Sequence, residues 1–216
     1  MAMATIASRH PERVGQRPTQ LPDMTRADLA ELFHALGYSV GVEVGVESGE
    51  YSDVLCQAMP GLQLTCIDPW TVIPMYRPHL TQADIDQLYA TARRRLAADS
   101  VTFIKQPSAV AVDDIADGSQ DFVYLDGLHD FAGLAADLAA WSPKIRSGGI
   151  LAGHDYRRSA PKRASVPDRA MLRHVCHVVP AWTRAYGIDP WYVCGRDEDR
   201  DGEVRESSRS WFWVVE

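Results

Sequence analysis

The chain has 216 residues, 46% hydrophobic and 24% charged, with a formal net charge of −7 and a pI near 5.5. That size suits one domain with a sheet covered by helices on both faces, and the acidic balance argues against a broad electrostatic surface for nucleic acid or anionic membranes. Nothing approaches the roughly 20 apolar residues of a membrane span or a signal-peptide core, and Cys56, Cys66, Cys176 and Cys194 lack CxxC spacing, so reduced thiols and a cytoplasmic location are expected.

Residues 1–22, rich in Pro, Arg, Gln and Thr, read as a flexible N-terminal arm, and residues 23–216 as a single domain. Asp23 or Thr25 can cap a first helix with Leu29, Leu32, Phe33 and Leu36 on its apolar face, ended by Gly37. Strand and helix signals then alternate. Residues 40–46 read as a buried strand, 51–59 as a short helix broken by Pro60-Gly61, and 62–67 as a second strand. Residues 69–80 lack a period; from Thr71 to Leu80 they mix apolar, aromatic and basic side chains, as a lid would. A helix over 81–99 puts Ile85, Leu88, Tyr89, Ala92 and Leu96 on one face and spreads Arg93, Arg94 and Arg95 around a solvated one.

Next come a strand at 101–105, a short helix at 109–115, a strand at 122–125, a helix at 131–145 and, after Gly148-Gly149, a strand at 150–153. The basic cluster Arg157, Arg158, Lys162 and Arg163 reads as a solvated loop. A helix around 168–178 carries His174 and His177 as surface or packing residues. Residues 191–194 and 211–215 read as an antiparallel hairpin with Trp182, Trp191, Trp211 and Trp213 in its core. The predicted fold is α/β: a Rossmann-like, doubly wound, mostly parallel sheet of seven strands with a C-terminal antiparallel hairpin.

In such a sheet ligands bind beyond the carboxyl ends of the strands. After the first strand comes Glu43-Val-Gly45-Val-Glu47-Ser48-Gly49, where two glycines permit a tight turn and close backbone approach, and N–H groups of the next helix start can hold a carboxylate. The segment is not GxGxxG, which disfavours pyrophosphate binding in the NAD manner. Asp68 ends the second strand and can accept both ribose hydroxyls of an adenosine ligand. Pro69 and Trp70 can wall the adenine, and Gln106 and Ser108 can contact its edge.

The segments EVGVESG, CIDPW, YLDGLHD and GGILAGHDY, in this order, resemble the class I S-adenosylmethionine-dependent methyltransferase superfamily across residues 40–156. The resemblance implies that Glu43, Gly45 and Gly49 surround the methionine part of S-adenosylmethionine, that Asp68 holds the ribose, and that Ser108 lies near adenine. Glu47 stands where many relatives have glycine, so its side chain must point away from the cofactor or contact it.

Asp126, His129, Asp130, His154 and Asp155 follow two adjacent strands, a donor set suited to a divalent metal such as Mg²⁺ that would acidify a substrate hydroxyl. The closer resemblance is to small-molecule and sugar O-methyltransferases, and it implies Asp126, His154 and Asp155 as metal ligands. His154 replaces a carboxylate of that pattern. Leu128 replaces an acidic base, which leaves His129 to take the acceptor's proton. The plain alternative is that His129 caps the following helix. The implied activity is methyl transfer to a small-molecule acceptor, with Asp126, His129 and His154 in the catalytic set and a homodimer as a candidate assembly. Competing readings are an NAD-dependent oxidoreductase and a non-catalytic adenosine-ligand binding module.

Overall fold

In the computed structural model, which describes residues 18–73, 76–77, 79–157, 174–195 and 209–216, side-chain alternation along the central strands sets the architecture. Strand β5 (Gln120–Leu125) turns Phe122 and Tyr124 to one face of the sheet and Val123 and Leu125 to the other. That is the period of two expected of a strand buried on both sides. Strands β1 (Thr19–Leu21), β2 (Val40–Val44), β3 (Gln63–Ile67), β4 (Val101–Ile104), β6 (Ile145–Tyr156), β7 (Tyr192–Cys194) and β8 (Arg209–Val214) complete the sheet. Its order is β1-β7-β8-β6-β5-β2-β3-β4. Every pairing is parallel except those of β8, which opposes both β6 and β7.

The doubly wound α/β class is as predicted, with one correction. The sheet has eight strands, because Thr19–Leu21, inside the segment read as an arm, pairs in parallel with β7; three residues are too few to show a period. Residues 1–17 of that arm lie outside the described residues. The C-terminal antiparallel pair is present as β7 and β8. β8 inserts between β6 and β7, so β7 runs with the parallel strands and only β8 opposes them.

Helices α1 (Arg26–Ala35) and α2 (Glu50–Ala58) cover one face, where Leu29, Phe33 and Leu55 join Phe122 and Tyr124 in one core. On the other face α5 (Phe131–Trp141) and α6 (Val175–Tyr186) bring Leu138, Trp141, Val178 and Val179 to Val123 and Leu125. Helix α3 (Gln82–Arg95) follows the predicted lid, and α4 (Ser108–Ala111) is a single turn after β4. Capping boxes start α1 (Thr25 with Asp28) and α3 (Thr81 with Asp84). Each satisfies two orphan N–H groups, with a cap worth about 1 kcal/mol.

Helix α6 departs from the expected 168–178, of which 168–173 lie outside the described residues. It continues through Pro180 to a left-handed Gly187 because Val175, Val178, Val179 and Thr183 bury one stripe, and packing outweighs the missing N–H. Trp182 belongs to this helix, stacked on Tyr186 with centroids 4.4 Å apart, and not to the terminal strands. The other three tryptophans are buried as expected. Arg158, Lys162 and Arg163 also lie outside the described residues. The four cysteines are thiols, and among the described residues no helix is long and apolar enough to cross a membrane.

Candidate active site

The strand order reverses between β2 and β5, which run parallel, and a cleft of about 540 Å³ opens there beyond the strand ends, the place where such sheets bind ligands. Gly45, just after β2, has φ +89°, and a Cβ on it would collide with the Asp126 backbone. Glycine is what lets the loop after β2 lie against the loop after β5. The two loops are tied to the strands by Gly45 N–H to Ile67 O at 2.8 Å and Asp126 N–H to Val44 O at 2.7 Å. Gly49, also left-handed at φ +76°, opens α2 without a side-chain cap and stands outside the cleft lining.

Asp68 builds this loop before it binds anything. Its Oδ2 accepts the N–H groups of Val46 at 3.1 Å and Glu47 at 3.0 Å, and its Oδ1 accepts that of Trp70 at 2.8 Å. A carboxylate has about four acceptor positions, so Oδ1 retains room for one ribose hydroxyl and not the two expected. Burial raises the Asp68 carboxyl above its usual value, against the pull of those three donors. Glu43 lines the cleft from β2 at 1% exposure; the Ser52 hydroxyl of α2 donates to it, and the Cys66 thiol donates to Ser52 at 3.4 Å. Burial, only partly offset by Ser52, pushes the Glu43 carboxyl up to about 8. A neutral acid in that position is ready to ionise beside a cation, and a sulfonium is one.

Other expected cofactor residues fall variously. Glu47, Ser48, Pro69, Trp70 and Ser108 line the cleft, whereas Gln106 is exposed and outside the lining. Trp70 is 1% exposed, packs on Tyr89 with centroids 4.6 Å apart and donates its indole N–H to the Glu47 carbonyl at 2.9 Å. It belongs to the structural wall and is not an open stacking platform. Glu47 has φ +52° and pairs with Arg77 across the cleft mouth, which answers where the side chain replacing glycine goes. Of the segment expected as a lid, residues 74, 75 and 78 lie outside the described residues; Ile73, Tyr76, Arg77 and Leu80 line the cleft, and Gln82 pins its root through Trp70 O and Val72 N–H, both at 3.1 Å.

In the same lining, at the ends of β5 and β6, Asp126, His129, His154 and Asp155 come together. His129 Nε2 lies 3.1 Å from Asp155 Oδ2 and 3.7 Å from Asp126 Oδ1, and His154 Nδ1 lies 3.5 Å from Asp126 Oδ2. Burial alone would lower the His154 imidazole, but the hydrogen bond and charge of Asp126, joined by Asp155, hold it above the usual histidine value. Of the implied metal set, His154 Nδ1 lies 4.0 Å from Asp155 Oδ1 as well as 3.5 Å from Asp126 Oδ2, and among the described residues no three His, Cys, Asp or Glu side chains group as an ion site. Asp130, and not His129, caps α5, accepting the Gly133 N–H at 2.7 Å.

Several residues at the site escape sequence reasoning. His174, read as a surface residue, donates its backbone N–H to His129 O at 2.8 Å and accepts the Phe131 N–H on Nδ1 at 3.1 Å, bracing the loop that carries His129. Arg95 donates to the Ser48 carbonyl at 2.7 Å. Tyr76 lines the cleft, and burial raises its phenol against the pull of Arg77, with the charges of Asp126 and Asp155 adding to the rise. None of these has a local signal, since each works through a contact between distant segments.

Residues 42–156 match the family model described as a methyltransferase domain. No curated protein matches the sequence significantly. Among solved structures, a Staphylococcus aureus protein described as a caffeoyl-CoA O-methyltransferase superposes with a TM-score of 0.60 at 12% identity, over 99% of this chain and 91% of that one. The cofactor-bound Rv0187 protein from MTB gives 0.59 at 16% identity, over 100% and 90%. The N-methyltransferase NodS from Bradyrhizobium japonicum gives 0.54 at 13%, over 88% and 94%. At these identities the likeness is one of fold, and the family match spans more than half the sequence: the chain belongs to this methyltransferase-domain family and has the class I S-adenosylmethionine-dependent methyltransferase fold.

Proposed function

We propose that the protein transfers the methyl group of S-adenosylmethionine to a hydroxyl oxygen of a small-molecule acceptor, with His129 as the base. The observation that carries this reading is the His129–Asp155 pair, 3.1 Å apart, in the lining of the cleft that the glycine loop also lines. When bound, the cofactor supplies an electrophilic methyl carbon on a positively charged sulfur. Glu43, Gly45 and Ser48 would hold its methionine part, and the open position of Asp68 Oδ1 one ribose hydroxyl.

With the Nε2 proton turned to Asp155, 3.1 Å away, the lone pair on Nδ1 would take the acceptor's proton, and the carboxylate would then stabilise the imidazolium that forms. Positioned proton transfer of this kind is worth about 10²–10⁴ in rate. His154 donates to Asp126 and offsets its charge, a task that an ion would otherwise perform. The lid residues Ile73 and Tyr76 cover the cleft and exclude water from the attack.

The test begins with calorimetric titration of S-adenosylhomocysteine, with NAD alongside, and continues with turnover on a panel of hydroxylated acceptors. His129→Gln is expected to keep S-adenosylhomocysteine affinity within about twofold while slowing turnover by about 100-fold or more. Chelation is expected to leave the rate unchanged. Binding of NAD alone, or a His129→Gln enzyme at full rate, overturns the reading. A rate lost to chelator and restored by Mg²⁺ would reassign the deprotonation to an ion.

A further inference from the structure

Asp137 is a buried acid that the proposed reaction leaves unused. It is the one charged residue of α5, 8% exposed, on the same face as Leu134, Leu138 and Trp141. Its Oδ1 accepts the Ser108 hydroxyl at 2.6 Å, and Ser108 in turn accepts the Trp141 indole N–H at 2.7 Å. Among the described residues Ser108 is the sole donor to this carboxyl. Burial pushes Asp137 up to about 6, so near neutral pH it is mainly a carboxylate with about four acceptor positions and one donor, a costly state unless something else donates to it.

The second oxygen lies at the cleft. Asp137 and Gly127 both line it, and a Cβ on Gly127 would sit 3.5 Å from Asp137 Oδ2. The absent side chain of Gly127 therefore leaves that side of Oδ2 uncovered. The neighbouring lining is Pro107, Ser108, Ala109 and Leu128, a mostly apolar set away from the His129–Asp155 pair. A flat, largely apolar heterocycle with one outward-pointing amine fits such a lining.

On the S-adenosylmethionine reading, we propose that Asp137 is a specificity residue for the cofactor's base: its Oδ2 accepts a hydrogen bond from the exocyclic amine of adenine. Ser108, whose proton is committed to Asp137, aims the carboxylate and does not itself donate to the ring. A purine with a 6-oxo group presents a second acceptor to the same oxygen and is rejected, because the buried carboxylate then loses its donor and meets a lone pair.

The experiment compares dissociation constants of S-adenosylhomocysteine and S-inosylhomocysteine, which differ at C6, amine against carbonyl, and at N1, which carries a proton in the inosyl compound. The wild type is expected to prefer the adenosyl compound by about tenfold or more, the range of a lost hydrogen bond to a charged group. Asp137→Asn replaces an acceptor by a donor in the same shape. It is expected to collapse the ratio to below about threefold, partly by tightening the inosyl compound. Equal weakening of both ligands, with the ratio kept, would mark Asp137 as structural and overturn the proposal. Ser108→Ala supplies a second variant should Asp137→Asn not fold: a retained adenine preference supports Asp137, and its collapse assigns the reading to Ser108 instead. If the wild type binds neither nucleoside, the cofactor reading fails first and takes this inference with it.

Discussion

Two parts of the cleft lining are held by different means. Where β2 and β3 finish, the loop is fixed by backbone: Gly45 lies against the Asp126 main chain, and Asp68 gathers three N–H groups from Val46, Glu47 and Trp70. Where β5 and β6 finish, Asp126, His129, His154 and Asp155 meet side chain to side chain across two loops, and His174 braces them from a third segment. The first arrangement is held mainly by the main chain and is in place before any ligand. The second is a balance of charges that changes with each proton gained or lost. A site that must recognise one cofactor and then activate an acceptor gains from having its rigidity in one part and its titratable groups in the other.

The sharpest break of that contrast is Gly45→Ala. The new Cβ would meet the Asp126 backbone, which cannot yield without moving β5, at a left-handed φ of +89°. Strain and overpacking together predict a loss on the order of 4 kcal/mol, read by chemical denaturation, together with loss of S-adenosylhomocysteine binding. Stability within about 0.5 kcal/mol of wild type would show that the loop is softer than the contacts imply.

Glu43 is the titratable exception inside the rigid half, and it sharpens the comparison. Its carboxyl is held up to about 8 against a usual 4.5, chiefly by burial. Between those values the folded chain keeps a proton that the unfolded chain releases, so stability falls as pH rises through the window and levels off above about 8. Glu43→Gln removes this linkage. The variant is expected to match wild type near pH 4.5 and to exceed it by on the order of 4 kcal/mol at pH 8, measured as paired denaturation curves across that range. A constant difference between the two proteins would mean that the carboxyl titrates elsewhere.

The same division explains what the sequence made legible. Gly45 and Asp68 were readable because each acts at a strand end through its own backbone or its immediate loop, and the order of such residues along the chain mirrors the order of the strands. Asp126, His129, His154 and Asp155 were readable as a group, because β5 and β6 are adjacent. Their mutual pairing was not, since which nitrogen faces which oxygen is decided by side-chain geometry between loops. Strand β1 offered three residues and no period. The insertion of β8 between β6 and β7 is a long-range choice that neither segment encodes alone. Asp137 did leave a trace: it is the lone acid in the apolar run FAGLAADLAAW, on the face that Leu134 and Leu138 bury. An isolated charge on a buried helical stripe needs a partner, and asking for that partner would have led to Ser108.

The smallest effect expected lies at the cleft mouth, where the two halves meet through Glu47 and Arg77. Their side chains are 48% and 40% exposed, so the pair contributes within about 1 kcal/mol after solvent screening. Its consequence should appear in ligand residence more than in stability, because Glu47 belongs to the fixed glycine loop and Arg77 to the lid. Arg77→Met keeps much of the side chain's bulk and removes the charge. S-adenosylhomocysteine is expected to leave this variant up to about fivefold faster, with an unchanged melting temperature and with the difference shrinking as salt is raised. Stopped-flow displacement at low and high ionic strength reads both features. A faster release that ignores salt would trace to the lost contact of the Arg77 guanidinium over the Tyr76 ring, 5.8 Å from its centroid, and not to the exposed ion pair with Glu47.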